Sequence, residues 1–139
     1  MKILLALDPF GSSEKALTEA LKQAKLQGAE LVILAVAETF QDVEHSYGAL
    51  TDVSKELFSK VKANAEKIKL SAIGQGIDTK LLTETGPSPA QNILDCAANE
   101  KVELIVMGSR DKKGLDRFLL GSVASKIVAH APCSVIVVR

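Results

Sequence analysis

Leu104-Ile105-Val106-Met107-Gly108-Ser109-Arg110-Asp111-Lys112-Lys113-Gly114 decides how this chain is read. An apolar run stops at a glycine and gives way to a polar loop. Further on, Gly121-Ser122 opens an amphipathic segment, and Val135-Ile136-Val137-Val138 forms another apolar run. Strand, glycine loop, helix start and strand is the layout expected of a phosphate-binding edge in an α/β sheet. The N–H groups at a helix start are unpaired donors, and glycine lets an anion approach them.

The same alternation recurs upstream. Residues 3–7 are continuously apolar, as in a strand buried on both faces. Asp8-Pro9-Phe10-Gly11-Ser12-Ser13 reads as a turn, with Ser12 or Ser13 as a helix cap. Ala16, Leu17, Ala20, Leu21 and Ala24 then recur at helical spacing, Lys22 and Lys25 lie near the helix end, and Gly28 stops it. Residues 31–37 form a second buried strand, broken by Glu38, and 39–50 read as a loop. Thr51 or Asp52 caps a longer helix with Val53, Leu57, Val61, Ala65, Ile68 and Ala72 inward, ended by Gly74 and Gly76. Residues 77–85 are a more polar strand, expected at a sheet edge. In Gly86-Pro87-Ser88-Pro89, Ser88 is the expected N-cap and Pro89 the first helical residue. Ile93, Leu94, Ala97 and Ala98 are expected to face inward. A fourth strand over 102–107 precedes a mostly helical stretch over 115–131, with Leu119, Val123, Ile127 and Val128 inward, and Ser134–Val138 is the fifth strand. Helical crossovers make consecutive strands parallel and, being right-handed, put helices on both faces. The expected fold is α/β, a doubly wound five-stranded parallel sheet.

The chain has 139 residues, which the length prior reads as one domain. Its 17 basic and 17 acidic residues balance, leaving no electrostatic footprint for nucleic acid or an anionic membrane. Cys96 and Cys133 fit no metal or redox spacing and read as buried free thiols, suited to a reducing compartment. The short apolar start meets Asp8 at once, unlike a signal peptide, and no run reaches the roughly 20 residues of a membrane span. A cytoplasmic protein is expected.

Ligands in doubly wound sheets lie beyond the strand C-termini, where the strand order reverses. The first strand ends at Ala6-Leu7-Asp8, the second at Val36 and the fourth at Met107-Gly108. Asp8 can accept hydrogen bonds from ribose, or serve as a turn residue. Ala6 and Val36 can pack on a base. Gly108, Gly121 and Ser122 can hold phosphate through backbone N–H groups, or Gly121-Ser122 can simply break one helix and cap the next. Arg110, Lys112 and Lys113 are either phosphate partners or solvated loop charges. Neither a Gly-x-Gly-x-x-Gly fingerprint nor a Walker loop is present. His130 at a helix C-terminus reads as structural, His45 as a loop residue, and no Gly-x-Ser-x-Gly elbow supports a hydrolytic triad.

These stretches together resemble the universal stress protein family over essentially the whole chain. They are residues 3–8 and 31–36, Gly86-Pro87 before a helix, residues 104–110, Leu119-Leu120-Gly121-Ser122-Val123, and His130-Ala131-Pro132-Cys133. The resemblance implies a single domain over 1–139 and an adenine nucleotide α-hydrolase-like, Rossmann-like sheet of order 3-2-1-4-5. It also implies a homodimer that pairs the last strands, Ser134–Val138. The implied ligand is an adenine nucleotide, ATP or AMP, with or without Mg²⁺. Its implied contacts are Ala6, Leu7, Asp8, Val36, Met107, Gly108, Arg110, Gly121, Ser122 and Val123. Nucleotide-binding members carry Gly, two residues, Gly, nine residues, Gly, then Ser or Thr. Here the frame from Gly108 to Gly121-Ser122 is intact, but Asp111 replaces the middle glycine, and Pro9-Phe10 replaces the family's usual Gly-Ser.

A carboxylate about 4 Å from a phosphate charge costs on the order of 4 kcal/mol at an effective dielectric of 20, roughly a thousandfold in affinity. A solvent-facing Asp111, the neighbouring cations or a bridging Mg²⁺ would offset this. Retained binding and a stress-response regulatory role is one expectation. A dimeric stress-response interaction protein that binds no nucleotide is the other. Slow ATP hydrolysis is a third, for which only Asp8 or Asp111 offers a water-activating base.

Overall fold

β1 (Lys2–Leu7) sits at the centre of the sheet because, after Lys2, it has no polar side to turn to water: Ile3, Leu4 and Leu5 are fully buried. The structure, a computed structural model, describes residues 1–7, 14–38, 52–109 and 120–139. The elements that follow are α1 (Glu14–Gln27), β2 (Glu30–Glu38), α2 (Asp52–Gly74), β3 (Thr79–Gly86), α3 (Pro89–Asn99), β4 (Leu104–Gly108), α4 (Ser122–His130) and β5 (Ser134–Val138). All five strands are parallel, in the order β3-β2-β1-β4-β5. This is the implied doubly wound sheet. The polar β3 is an edge strand, as expected; β5 is the other edge.

Strand alternation splits β1 between two cores. Ile3, Leu5 and Leu7 face α1 and α2, while Leu4 and Ala6 face α3 and α4. Helix α1 meets the sheet through Ala16, Ala20 and Ala24, small residues that allow close approach, and α2 through Val61, Ala65 and Ala72. Helices α1, α2 and α3 end alike. A residue in the left-handed region (Gly28, Gly76 or Lys101) lets the next N–H reach a carbonyl five residues back: Ala29 to Ala24, Ile77 to Ala72, Val102 to Ala97.

Several expectations shift. Ala98 is exposed, because each helical residue turns about 100° and Ala98 passes off the stripe centred near Ala97. Cys96 and Ala90 fill the buried face instead. Val128 is 50% exposed for the same reason, and Ala124 takes its place beside Ile127. Cys133 is only half-buried, whereas Cys96 is buried as expected. The fourth strand starts at Leu104, and β2 runs on through Glu38. The last helix starts only at Ser122, because Gly121 adopts extended backbone, φ −61° and ψ 162°. The expectations for Ser12, Ser13, the 39–50 loop, Thr51 and residues 115–119 lie outside the described residues, as do those for the side chains of Val53 and Leu57. Among the described residues no helix is long and apolar enough to cross a membrane, and no acidic, His or Cys group clusters as a metal site.

Candidate functional site

Parallel strands bring their C-terminal ends to one rim, and the reversal of strand order between β1 and β4 opens a crevice there. The register sets Ala6 level with Met107 across β1 and β4, and Gly108 level with Val138 across β4 and β5. Beyond this rim lies a cleft of about 340 Å³, within the range of small-ligand sites. Its floor is Ala6 and Leu7 from β1, Val36 from β2, and Met107 and Gly108 from β4. One wall is the start of α4, Gly121 to Ala124, with Lys126 one turn along. The other is the start of α3, Pro87 to Ala90, with Ile93 deeper in.

The two walls differ in what they offer. At α3, Pro87 and Pro89 have no N–H. Ser88 Oγ accepts from the Gln91 N–H at 3.4 Å, and its carbonyl accepts from the Asn92 N–H. Most of that helix's first donors are therefore missing or engaged. At α4, Gly121 is the N-cap and no side chain caps the helix. Its first intrahelical bond from Ser125 to the Gly121 carbonyl leaves the N–H groups of Ser122, Val123 and Ala124 without helical partners. The positive end of the helix dipole adds to them. A Cβ placed on Gly121 would meet nothing among the described residues within 4 Å. Gly121 is thus not demanded by φ or by packing against them; its lack of a side chain leaves the amides open.

Supporting residues hold the α3 wall. A Cβ at Gly86 would run into the Asn92 carboxamide, so any side chain here would displace Asn92 from its present position. Asn92 Nδ2 in turn donates to Glu84 Oε2 at 2.9 Å, tying α3 to β3 directly beneath the turn. On the β4 side, the Ser109 N–H donates to the Val138 carbonyl at 2.9 Å and extends the sheet one residue past Gly108.

The universal stress protein family model matches residues 1–139. The chain belongs to this family. Among its relatives, the universal stress protein YxiE of Bacillus subtilis is 36% identical over 146 residues, covering 99% of this chain and 98% of the relative. A universal stress protein of Thermus aquaticus is 34% identical over 137 residues, covering 99% and 97%. Universal stress protein UspA from Lactobacillus plantarum superposes with a TM-score of 0.81 at 24% identity, covering 100% and 97%. Two further universal stress proteins have the same fold at a TM-score of 0.73. One, from Archaeoglobus fulgidus, is 22% identical, covers 100% and 98%, and was solved in complex with dAMP. The other is 19% identical, covers 100% and 97%, and was solved in complex with cAMP.

Of the residues singled out from this universal stress protein's sequence, the structure brings eight together around the cleft: Ala6, Leu7, Val36, Met107, Gly108, Gly121, Ser122 and Val123. Asp8, Arg110 and Asp111 lie outside the described residues. Sequence reasoning read Pro87 and Ser88 as a turn and cap, Pro89 as the first helical residue and Ile93 as an inward helix residue, without seeing that they wall the cleft, and it passed over Ala90, Ala124 and Lys126. A signal existed. Gly86-Pro87-Ser88-Pro89 follows a strand and so must lie at the C-terminal rim, and Lys126 stands four residues after Ser122 on one helix face. The two thiols stay apart from this chemistry: neither lines the cleft, and burial pushes Cys96 up to about 11.

Proposed function

We propose that this universal stress protein binds an adenine nucleotide, ATP or AMP, in the cleft at the α3 and α4 starts and regulates a stress response through its bound state. The observation that carries this reading is the uncapped start of α4, whose open amides and unfilled Gly121 border the cleft. A base would rest on Ala6, Val36 and Met107, and a phosphate would take the N–H groups of Ser122, Val123 and Ala124. Asp8 and Arg110 would complete the site from ribose and phosphate sides. The dAMP and cAMP complexes of fold relatives support the same ligand class. Calorimetric titration with ATP, ADP and AMP, with and without Mg²⁺, tests it. Binding below millimolar concentration is expected, and absence of heat at millimolar nucleotide overturns the reading.

Asp111 in the position of the family's middle glycine favours a second reading, an interaction protein that binds no nucleotide. The Asp111→Gly variant discriminates. Binding gained from nothing supports this second reading; tight binding unchanged by the substitution supports the first. In either case residues 1–139 act as one cytoplasmic domain that forms a homodimer through Ser134–Val138. The half-buried apolar edge Val135-Ile136-Val137-Val138 supports that pairing.

A further inference from the structure

Lys126 carries the one charged side chain among the described residues that line the cleft, and the glycine frame of the sequence makes no use of it. We propose that Lys126 binds the outer phosphates of the nucleotide and so selects a di- or triphosphate over a monophosphate. The inference rests on the nucleotide reading given above. Lys126 stands four residues after Ser122, on the same face and about 6 Å further along the helix axis. Side chains on a helix lean towards its N-terminus, and a lysine stem leaning back over the first turn has the length to bring its ammonium to the level of the open amides. Three amides suffice for one phosphate group. The ammonium adds three donors and a full charge for the next.

Two further observations leave that charge available to a ligand in the cleft. The ion pairs among the described residues are Lys2–Glu100, Lys60–Glu56 and Lys80–Glu100, so Lys126 has no carboxylate partner there to hold it elsewhere. The facing wall, Pro87 to Ala90 with Ile93, is apolar apart from Ser88 and offers no competing cation. An anionic chain leaving the α4 amides therefore meets Lys126 as its next favourable contact.

The test is calorimetric titration of wild type, Lys126→Gln and Lys126→Arg with ATP, AMP and adenosine at low salt. Lys126 is exposed, so the variants keep the wild-type melting profile. Lys126→Gln is expected to weaken ATP about three- to tenfold, the scale of a charge-assisted contact at a partly solvated site. AMP is expected to weaken less and adenosine not at all, with Lys126→Arg restoring ATP. Unchanged ATP affinity in Lys126→Gln, or an equal loss for all three ligands, overturns the role of Lys126 while nucleotide binding stands. Failure of the wild type to bind any of the three at millimolar concentration overturns both.

Discussion

Gly121 is defined by the space beside it. Its φ is ordinary, and an added Cβ touches nothing among the described residues, so Gly121→Ala is expected to fold. The cost is on the order of 1 kcal/mol, because alanine is a poor N-cap. Nucleotide affinity is expected to fall by more than that, since the new methyl group occupies the cleft beside the open amides. Urea unfolding and calorimetry on the same variant separate the two effects. Glu100 is a different kind of residue, serving the opposite end of the sheet. Lys80 Nζ donates to its Oε1 at 2.7 Å, and Lys2 Nζ lies 3.6 Å from Oε2. The Lys80 hydrogen bond and charge hold the Glu100 carboxyl below its usual range, and the same hydrogen bond raises Lys80. A depressed carboxyl stabilises above its unfolded pKa and loses that contribution as pH falls through its folded pKa. A raised lysine loses its contribution as pH climbs through its own folded value. Glu100→Gln is therefore expected to be less stable than wild type at neutral pH, with the gap in urea midpoint closing in acid.

At the scale of elements, helix ends carry much of the specification. Helices α1 and α2 close on glycines at φ +59° and +82°, but α3 closes on Lys101 at φ 55°, a conformation disfavoured for a side chain with a Cβ. Lys101→Gly is expected to raise stability by about 1 kcal/mol, read as a higher urea midpoint. A loss of stability would mean that the lysine side chain makes a compensating contact. The start of α3 was legible residue by residue: Ser88 as cap and Pro89 in the first turn stand where Gly86-Pro87-Ser88-Pro89 put them. The start of α4 was legible only as one of two alternatives. Gly121-Ser122 could break one helix and cap the next, while apolar periodicity through Leu119 and Leu120 into Val123 pointed to a mostly helical stretch from 115; the extended backbone of Gly121 sets the start of α4 at Ser122.

For the molecule as a whole, β5 is the apolar one of the two edges of a sheet whose inner strands are buried between two helix layers; β3 is the polar one. The Val138 carbonyl accepts from Ser109, and alternation along a strand then turns the Val137 N–H away from β4, to the open edge. Val137→Pro removes that outward donor while leaving the β4 ladder intact, as edge strands permit. Light scattering is expected to report a dimer for the wild type and a monomer for this variant. A Val137→Pro protein that keeps the dimeric mass would move the interface away from β5.

The order of elements, their parallel direction and the two-layer burial follow from sequence alone, because continuous apolar runs and 3.6-residue stripes are local properties of the chain. The strand order 3-2-1-4-5 came only through family resemblance, since periodicity is blind to which neighbour a strand chooses. The same division holds for the cleft. Gly108 and Gly121-Ser122 were legible as a frame because glycine and hydroxyl at a helix start have a local meaning. That Pro87, Ser88 and Ile93 face Lys126 across one cavity was decided by tertiary structure. The α3 and α4 starts are over thirty residues apart in the chain, and they meet only because β1 and β4 pair and both helices pack on the same face of the sheet.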